Sequence, residues 1–279
     1  MVATTIELTR GTDRMDEPID QSSASMMSKV PAVVLGFWII KICATTAGET
    51  GGDALSMTLG LGYAVSTLIF LGILIVLLVA QVGARTYHPF LYWGVITATT
   101  TTGTTISDYL DRTLGLGYPK SSLLLFAAVV GVLALWRLTT GSVSVGEIAT
   151  RPAELFYWAA ILFSNTLGTA LGDFVATTSS FGFDGGALVF STALALIGAA
   201  YFFSKISRAW LFWAAFVLTR PLGATLGDLL TKPRVEGGLH FSRVASSLII
   251  VTAIAILIVL TDQGAEQATA FVGGGGDPA

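Results

Sequence analysis

One pattern of tryptophan, glycine and aspartate occurs four times along the chain. Each copy has a Trp, nine further residues, a Gly, three further residues, a Gly or Ser, and then an Asp. The copies are Trp38–Asp53, Trp93–Asp108, Trp158–Asp173 and Trp213–Asp228. Copies 1 and 2 are offset by 55 residues, copies 3 and 4 by the same 55, and the two pairs by 120. The offsets indicate a two-repeat unit that was duplicated in tandem, so the fold is expected to be an assembly of similar units.

Each repeat combines an apolar segment that carries Gly, Thr, Asp and other polar residues with a second segment that is almost purely aliphatic. The whole chain is too apolar for a soluble globule. Apolar residues make up 53% of the chain and charged residues 12%, against about 25% charged in an average soluble protein. The composition excludes disorder for most of the chain, and the net charge of -3 offers no basic surface for nucleic acid. Segments of membrane-spanning length are predicted at Pro31–Thr58, Tyr63–Val82, Pro89–Leu110, Ser121–Leu138, Pro152–Thr177, Gly185–Phe203, Ala209–Leu230 and Phe241–Leu260.

The predicted fold is an all-α membrane protein with eight transmembrane helices, arranged as four parallel two-helix repeats with a pseudo-fourfold arrangement. Two spans per repeat return the chain to the same side, so all repeats share one orientation and the four Asp residues share one depth. Polar odd-numbered helices are expected inside and aliphatic even-numbered helices outside. The predicted bundle covers residues 30–262, with repeats at about 31–86, 87–150, 151–206 and 207–262. A disordered cytoplasmic tail is predicted at residues 1–29, without a signal peptide, and a flexible tail at 263–279.

The repeated segments resemble a known family. Gly36–Lys41, Ala44–Asp53, Asn165–Asp173 and Arg220–Asp228 are similar to a family of uncharacterised bacterial membrane-anchored proteins, built from four copies of a repeat of unknown function. The resemblance covers about residues 30 to 260. It implies a multi-pass protein of the bacterial inner (cytoplasmic) membrane and no particular activity. Eight basic residues on the side of the N-terminus against five on the other side place both termini in the cytoplasm.

A polar stripe leads to each Asp, because residues four apart share one face of a helix. Asp53, Asp108, Asp173, Asp228 and Glu49 are the candidate metal ligands. Thr45, Thr100, Thr104, Asn165, Thr169 and Asp111 are the candidate lining residues of a path. Lys41 and Arg220 are the basic residues in the middle of predicted spans, and they are the candidates for a charge pair or a gate. An ion pair between Arg220 and Glu49 is favoured.

Two of these features have alternative interpretations. The Gly-x3-[Gly/Ser] pair either allows close packing of helices or marks a broken helix, with Gly48–Gly52 as the candidate break. The Asp residues either cap helix ends and bond to neighbouring Thr hydroxyls, or form a cation or proton site.

The favoured function is a transporter or channel for small hard cations through a central acidic core. Oxygen ligands from Asp, Glu and Thr suit Mn²⁺, Mg²⁺, Na⁺ or H⁺. A non-transporting membrane scaffold or sensor is the alternative, and an intramembrane enzyme using paired carboxylates is a weaker one. No catalytic motif is present, so the chain is not expected to be an enzyme. The expected partners are the lipid bilayer and a small inorganic cation or proton. No cofactor is required, although a divalent cation is a candidate ligand, and the oligomeric state is left open.

Overall fold

A computed structural model of the chain describes residues 31–84, 86–144, 150–178 and 181–273. Within these ranges the protein is helical, without strands, and has eight α-helices. They are α1 (Leu35–Asp53), α2 (Gly62–Gly83), α3 (Pro89–Asp108), α4 (Tyr118–Thr140), α5 (Arg151–Asp173), α6 (Gly182–Phe203), α7 (Arg208–Thr231) and α8 (Arg243–Gly273). The predicted tail at residues 1–29 lies outside the described residues. Helix α8 continues past the predicted end of the bundle at residue 262.

Six of the eight helices are long and apolar enough to cross a membrane, namely α2, α4, α5, α6, α7 and α8. The described part of the chain therefore has the character of a multi-pass membrane protein. Helices α1 and α3 are not among the six, and they are the two that carry runs of Thr and Gly.

The four polar helices pack against one another in a closed ring. Helix α1 packs against α3 and α7, and α5 packs against the same two helices. Each aliphatic helix covers the polar helix of the following repeat, so that α2 packs on α3, α4 on α5, α6 on α7 and α8 on α1. In an apolar stretch of 18 residues, 67% of the residues of α5 and 61% of those of α7 are buried. In the corresponding stretches of α2, α4, α6 and α8 only 17–22% are buried. Polar helices lie inside and aliphatic helices outside, in agreement with the contrast in their composition.

The first glycine of each motif lies in close contact with the next polar helix. A Cβ at Gly48 would overlap Thr100, and one at Gly223 would overlap Thr45. A Cβ at Gly168 would overlap Arg220 in the same way. Gly103 lies against the backbone of α5, where a Cβ would come within 2.9 Å of the Thr166 nitrogen. The predicted close helix contact is confirmed at all four glycines.

The alternative of a helix broken at Gly48–Gly52 is wrong, because α1 is continuous from Leu35 to Asp53. The helical irregularity comes after the Asp instead. In repeats 1 to 3 a five-residue π-helical turn follows directly, at Ala54–Thr58, Tyr109–Thr113 and Phe174–Thr178. Such turns are rare and often occur at functional sites.

The opposite end of the ring is closed by aromatic side chains. In each repeat a Phe or Tyr precedes the motif Trp, and this ring packs on the Trp of the next repeat. The pairs are Phe37–Trp93, Tyr92–Trp158, Tyr157–Trp213 and Phe212–Trp38, with ring centroids 5.4, 5.7, 6.1 and 5.7 Å apart. The hydroxyls of Tyr92 and Tyr157 are hydrogen-bonded at 2.6 Å. We name the cluster of these eight side chains, which connects all four repeats, the aromatic seal.

Candidate functional site

The four motif Asp residues are all buried, and basic side chains divide them into two pairs. Arg112 binds Asp108 through Nε at 2.9 Å and Asp173 through Nη2 at 3.3 Å. Lys232 Nζ lies 3.2 Å from an oxygen of Asp228 and 3.2 Å from an oxygen of Asp53. Each cation therefore bridges the Asp of its own repeat and the Asp of the following one.

A third basic side chain contacts the pair formed by Asp53 and Asp228. Arg243, the first residue of α8, places Nε 3.4 Å from Asp53 Oδ2. Asp53 is thus contacted by two basic side chains and Asp228 by one.

The sequence contains a signal for the two bridging cations. Arg112 and Lys232 each follow their Asp by four residues, and they are 120 residues apart, the offset of the duplicated two-repeat unit. At the same place, repeats 1 and 3 have Met57 and Thr177. The orientation prediction includes Arg112 and Lys232 among the five basic residues on the side opposite the N-terminus, whereas in the structure both side chains reach back to the Asp layer.

Three of the five predicted ligands form a compact group. Glu49, Asp53 and Asp228 each offer a carboxylate oxygen, all three within 4.8 Å of one another, and all three side chains are buried. We name this group the acidic triad. Asp108 and Asp173 lie outside it and share Arg112. The difference arises because repeat 1 has Glu49 where the other repeats have Thr104, Thr169 and Ala224.

Arg220 forms the next layer towards the Trp end and joins all four polar helices. Its Nη2 donates hydrogen bonds to Glu49 Oε2 at 2.8 Å, Thr104 Oγ1 at 2.5 Å and Thr169 Oγ1 at 2.7 Å. The side chain is 0% exposed, and its Nε and Nη1 have no hydrogen-bond partner among the described residues. The favoured ion pair between Arg220 and Glu49 is therefore present.

Lys41 lies in a separate layer below the aromatic seal. Its Nζ donates to Asn165 Oδ1 at 3.1 Å and stands 4.1 Å from the centroid of the Phe216 ring. Asn165 Nδ2 in turn donates to Thr99 Oγ1 at 3.0 Å. Among the described residues Lys41 has no carboxylate within ion-pair distance, so it is not the partner of Glu49.

The remaining predicted lining residues hold helices together. Thr45 donates to the Thr219 carbonyl at 3.2 Å and Thr100 to the Ala44 carbonyl at 3.1 Å, both across a helix contact. Asp111, in the π-helical turn after α3, accepts a hydrogen bond from Ser107 Oγ at 3.3 Å and is not part of the acidic triad.

Lys232 remains protonated at the edge of this site. It follows the last residue of α7 and is buried. Burial alone opposes its charge, but the carboxylates of Asp228 and Asp53 outweigh this effect and raise the pKa of the ammonium above its usual value. A cation that enters the acidic triad consequently competes with the positive charge of Lys232.

Comparison with known proteins points to one family. The family model described as Repeat of Unknown Function (DUF347) matches four times, at residues 36–87, 91–142, 156–207 and 211–261. Each match contains one copy of the motif. No curated protein matches the chain, and no solved structure does.

Proposed function

The chain belongs to the DUF347 repeat family, and we propose that it transports a small hard cation along the axis of a four-repeat membrane bundle. The observation that carries the proposal is the acidic triad with Lys232 between two of its members. The proposal concerns transport and not catalysis.

The proposed bundle has all eight helices across the membrane, in four parallel repeats around a pseudo-fourfold axis. With their π-helical turns, the α1 segment (35–58) and the α3 segment (89–113) extend about 36–38 Å at ~1.5 Å per residue, enough for a hydrocarbon core of about 30 Å. Their polar residues face the ring and not lipid, and this explains their low apolarity. The ring of glycine contacts and the aromatic seal both return from repeat 4 to repeat 1, which supports the arrangement.

The cation is proposed to bind at the acidic triad in exchange for the ammonium of Lys232. Carboxylate oxygens are the preferred ligands of hard cations. The ammonium lies within 3.2 Å of both Asp228 and Asp53, so it occupies the place from which a cation would bridge them. Lys is suited to such an exchange, because its flexible stem lets the ammonium move away.

The charges around the triad limit the exchange. Glu49, Asp53 and Asp228 supply three negative charges, and Arg220, Lys232 and Arg243 supply three positive ones. A monovalent ion that replaces Lys232 keeps this region neutral. A divalent ion does so if it replaces both Lys232 and Arg243. Transport of Na⁺ or H⁺ is the monovalent case, and transport of Mn²⁺ or Mg²⁺ is the divalent case. The experiments below test both.

The Asp108–Asp173 pair has a different proposed role. A guanidinium stays charged and binds carboxylates with fixed geometry, so Arg112 is a permanent partner of both. This pair then stabilises the half of the Asp layer that does not bind the ion.

Ion flux into proteoliposomes tests the proposal. Asp53→Asn and Asp228→Asn should each reduce the flux of the transported ion at least about tenfold, since even groups that only support a ligand contribute about 10–100-fold to metal affinity. The matched control is Asp184→Asn, an exposed residue in the first turn of α6. The screen uses Na⁺, Mn²⁺, Mg²⁺ and a pH gradient. Equal flux in the native protein, both triad variants and the control would exclude the triad as the transport site.

Replacement of Lys232, which competes with the ion for the acidic triad, should have the opposite effect and strengthen ion binding. Lys232→Met should raise the affinity for the transported ion about tenfold, the effect of losing a charged hydrogen bond of about 1.5 kcal/mol. Lys205→Met, at an exposed position between α6 and α7, is the control. For a divalent ion Arg243→Met should act in the same direction, whereas for a monovalent ion it should not. Unchanged or weaker ion binding in Lys232→Met contradicts the exchange.

A membrane scaffold is the second candidate function. It is favoured by one observation, that every motif Asp has a basic partner. Under this function the triad variants unfold more easily, but no ion crosses the membrane in the flux screen.

A further inference from the structure

A deep groove opens between α1, α6 and α7 on the outside of the bundle. It has a volume of about 750 Å³ and is lined by Ser144, by parts of α6 between residues 194 and 202 and of α7 between residues 208 and 219, and by α1 with the two residues before it (Val33, Val34, Leu35, Trp38 and Ile42). Most of the lining is apolar, with Trp38, Leu194 and Phe212 among its walls. We name it the Arg208 groove, after the one charged side chain that lines it.

The cation lies at one end of this groove. Arg208 is the first residue of α7 and is exposed. Its Nη1 donates to the Tyr201 carbonyl, and its guanidinium lies 4.2 Å from the centroid of the Tyr201 ring. Among the described residues no carboxylate is within ion-pair distance of Arg208, and neither Asp nor Glu lines the groove.

The groove has the depth of one lipid leaflet. From Arg208 to Thr219 the lining follows α7 for eleven residues, or about 16 Å at ~1.5 Å per residue. Half of a hydrocarbon core of about 30 Å is about 15 Å. An apolar chain that fills the groove therefore has its polar end beside Arg208.

We propose that the Arg208 groove is a binding site for an anionic phospholipid, with an acyl chain between α1, α6 and α7 and the phosphate beside the Arg208 guanidinium. A basic side chain at the mouth of a groove between membrane helices is complementary to an anionic headgroup. This site is independent of the acidic triad and of the proposed transport.

A second groove serves as an internal comparison. It lies between α2, α3 and α8, has a volume of about 310 Å³, and is lined by Phe70, Trp93, Ile254 and other residues without a charged side chain. Among the described residues that line this second groove there is no basic side chain to pair with a headgroup.

Competition between phosphatidylglycerol and phosphatidylcholine with the same acyl chains tests the site, with retained lipid measured by native mass spectrometry of the delipidated full chain. The native protein should prefer the anionic lipid about fivefold, the factor expected for one basic residue near an anionic headgroup. Arg208→Gln should remove the preference. Arg137→Gln, an equally exposed arginine near the end of α4, should keep it. Equal retention of both lipids by the native protein, or an undiminished preference in Arg208→Gln, would overturn the proposal.

A variant whose side chain fills the groove distinguishes lipid binding in the groove from unspecific binding to the protein surface. Gly198 lines the groove, and a Cβ there meets no atom within 4 Å, so that Gly198→Trp can occupy the groove without disturbing the helix contacts. It should abolish the preferential retention. Gly72→Trp on α2, which is equally open and lines neither groove, should retain it. Unchanged retention in Gly198→Trp would mean that the lipid binds elsewhere or that other residues of the chain occupy the groove. Either result would refute the assignment.

Discussion

Arg220→Met is expected to lower the free energy of unfolding by about 3–5 kcal/mol, the usual cost of removing one partner of a buried ion pair. The change leaves the Glu49 carboxylate without its 2.8 Å partner, and it removes the donor shared by Thr104 and Thr169. Unfolding of the purified protein in a denaturing detergent, followed by tryptophan fluorescence, measures the loss. Lys205→Met, at an exposed position between α6 and α7, is the control.

A double variant separates the ion pair from the loss of volume. In Arg220→Met with Glu49→Gln the uncompensated charge is absent, so this protein should be more stable than Arg220→Met alone. If the two single effects simply add, Arg220 and Glu49 are not energetically coupled. The ion pair of Arg220 would then not stabilise the contact between the four polar helices.

Gly48→Leu and Gly223→Leu should each cost about 1–3 kcal/mol or more, because both side chains would overlap a threonine of the neighbouring polar helix. The same unfolding assay measures the effect. Gly72→Leu is the matched control, since no atom lies within 4 Å of a Cβ at that helical glycine. It also corrects for the gain of about 1 kcal/mol in helix propensity when Gly is replaced. Equal stability of all three variants would contradict the close-contact role of the motif glycines.

The repeat pattern predicted the inner part of the fold well, for a physical reason. A glycine at a fixed distance before each Asp allows one helix to approach the next, and four equivalent contacts close a ring. Gly48 therefore receives Thr100 and Gly223 receives Thr45, as expected of small residues at membrane helix contacts. The polar stripe was predictable for the same reason, because residues four apart share a face.

The placement of the outer helices could not be predicted from this pattern. Each aliphatic helix packs on the polar helix of the next repeat, so that α8 covers α1. Composition indicates that such a helix faces lipid, but it does not indicate which inner helix lies behind it. That choice depends on the loops and on the tertiary packing.

The candidate site was predicted only in part, because long basic side chains reach beyond their position in the sequence. Lys232 and Arg243 lie at helix ends, where basic residues usually indicate a membrane boundary. In the structure both contact Asp53. An Asp layer predicted as a ring of four similar carboxylates is consequently two different pairs, and Glu49 makes one of them a triad.

Equilibrium binding of radioactive Na⁺ and Mn²⁺ to the purified protein tests the central claim most directly. Binding to the native protein, Asp228→Asn, Lys232→Met and the control Asp184→Asn is compared at the same pH. If a cation exchanges with Lys232 in the acidic triad, one of the two ions binds to the native protein, and its affinity falls at least about tenfold in Asp228→Asn. Its affinity should rise in Lys232→Met and stay unchanged in Asp184→Asn. Equal affinity in Asp228→Asn and the native protein would contradict the proposed cation site. Binding of neither ion to a native protein that also shows no flux in a pH gradient would contradict it as well.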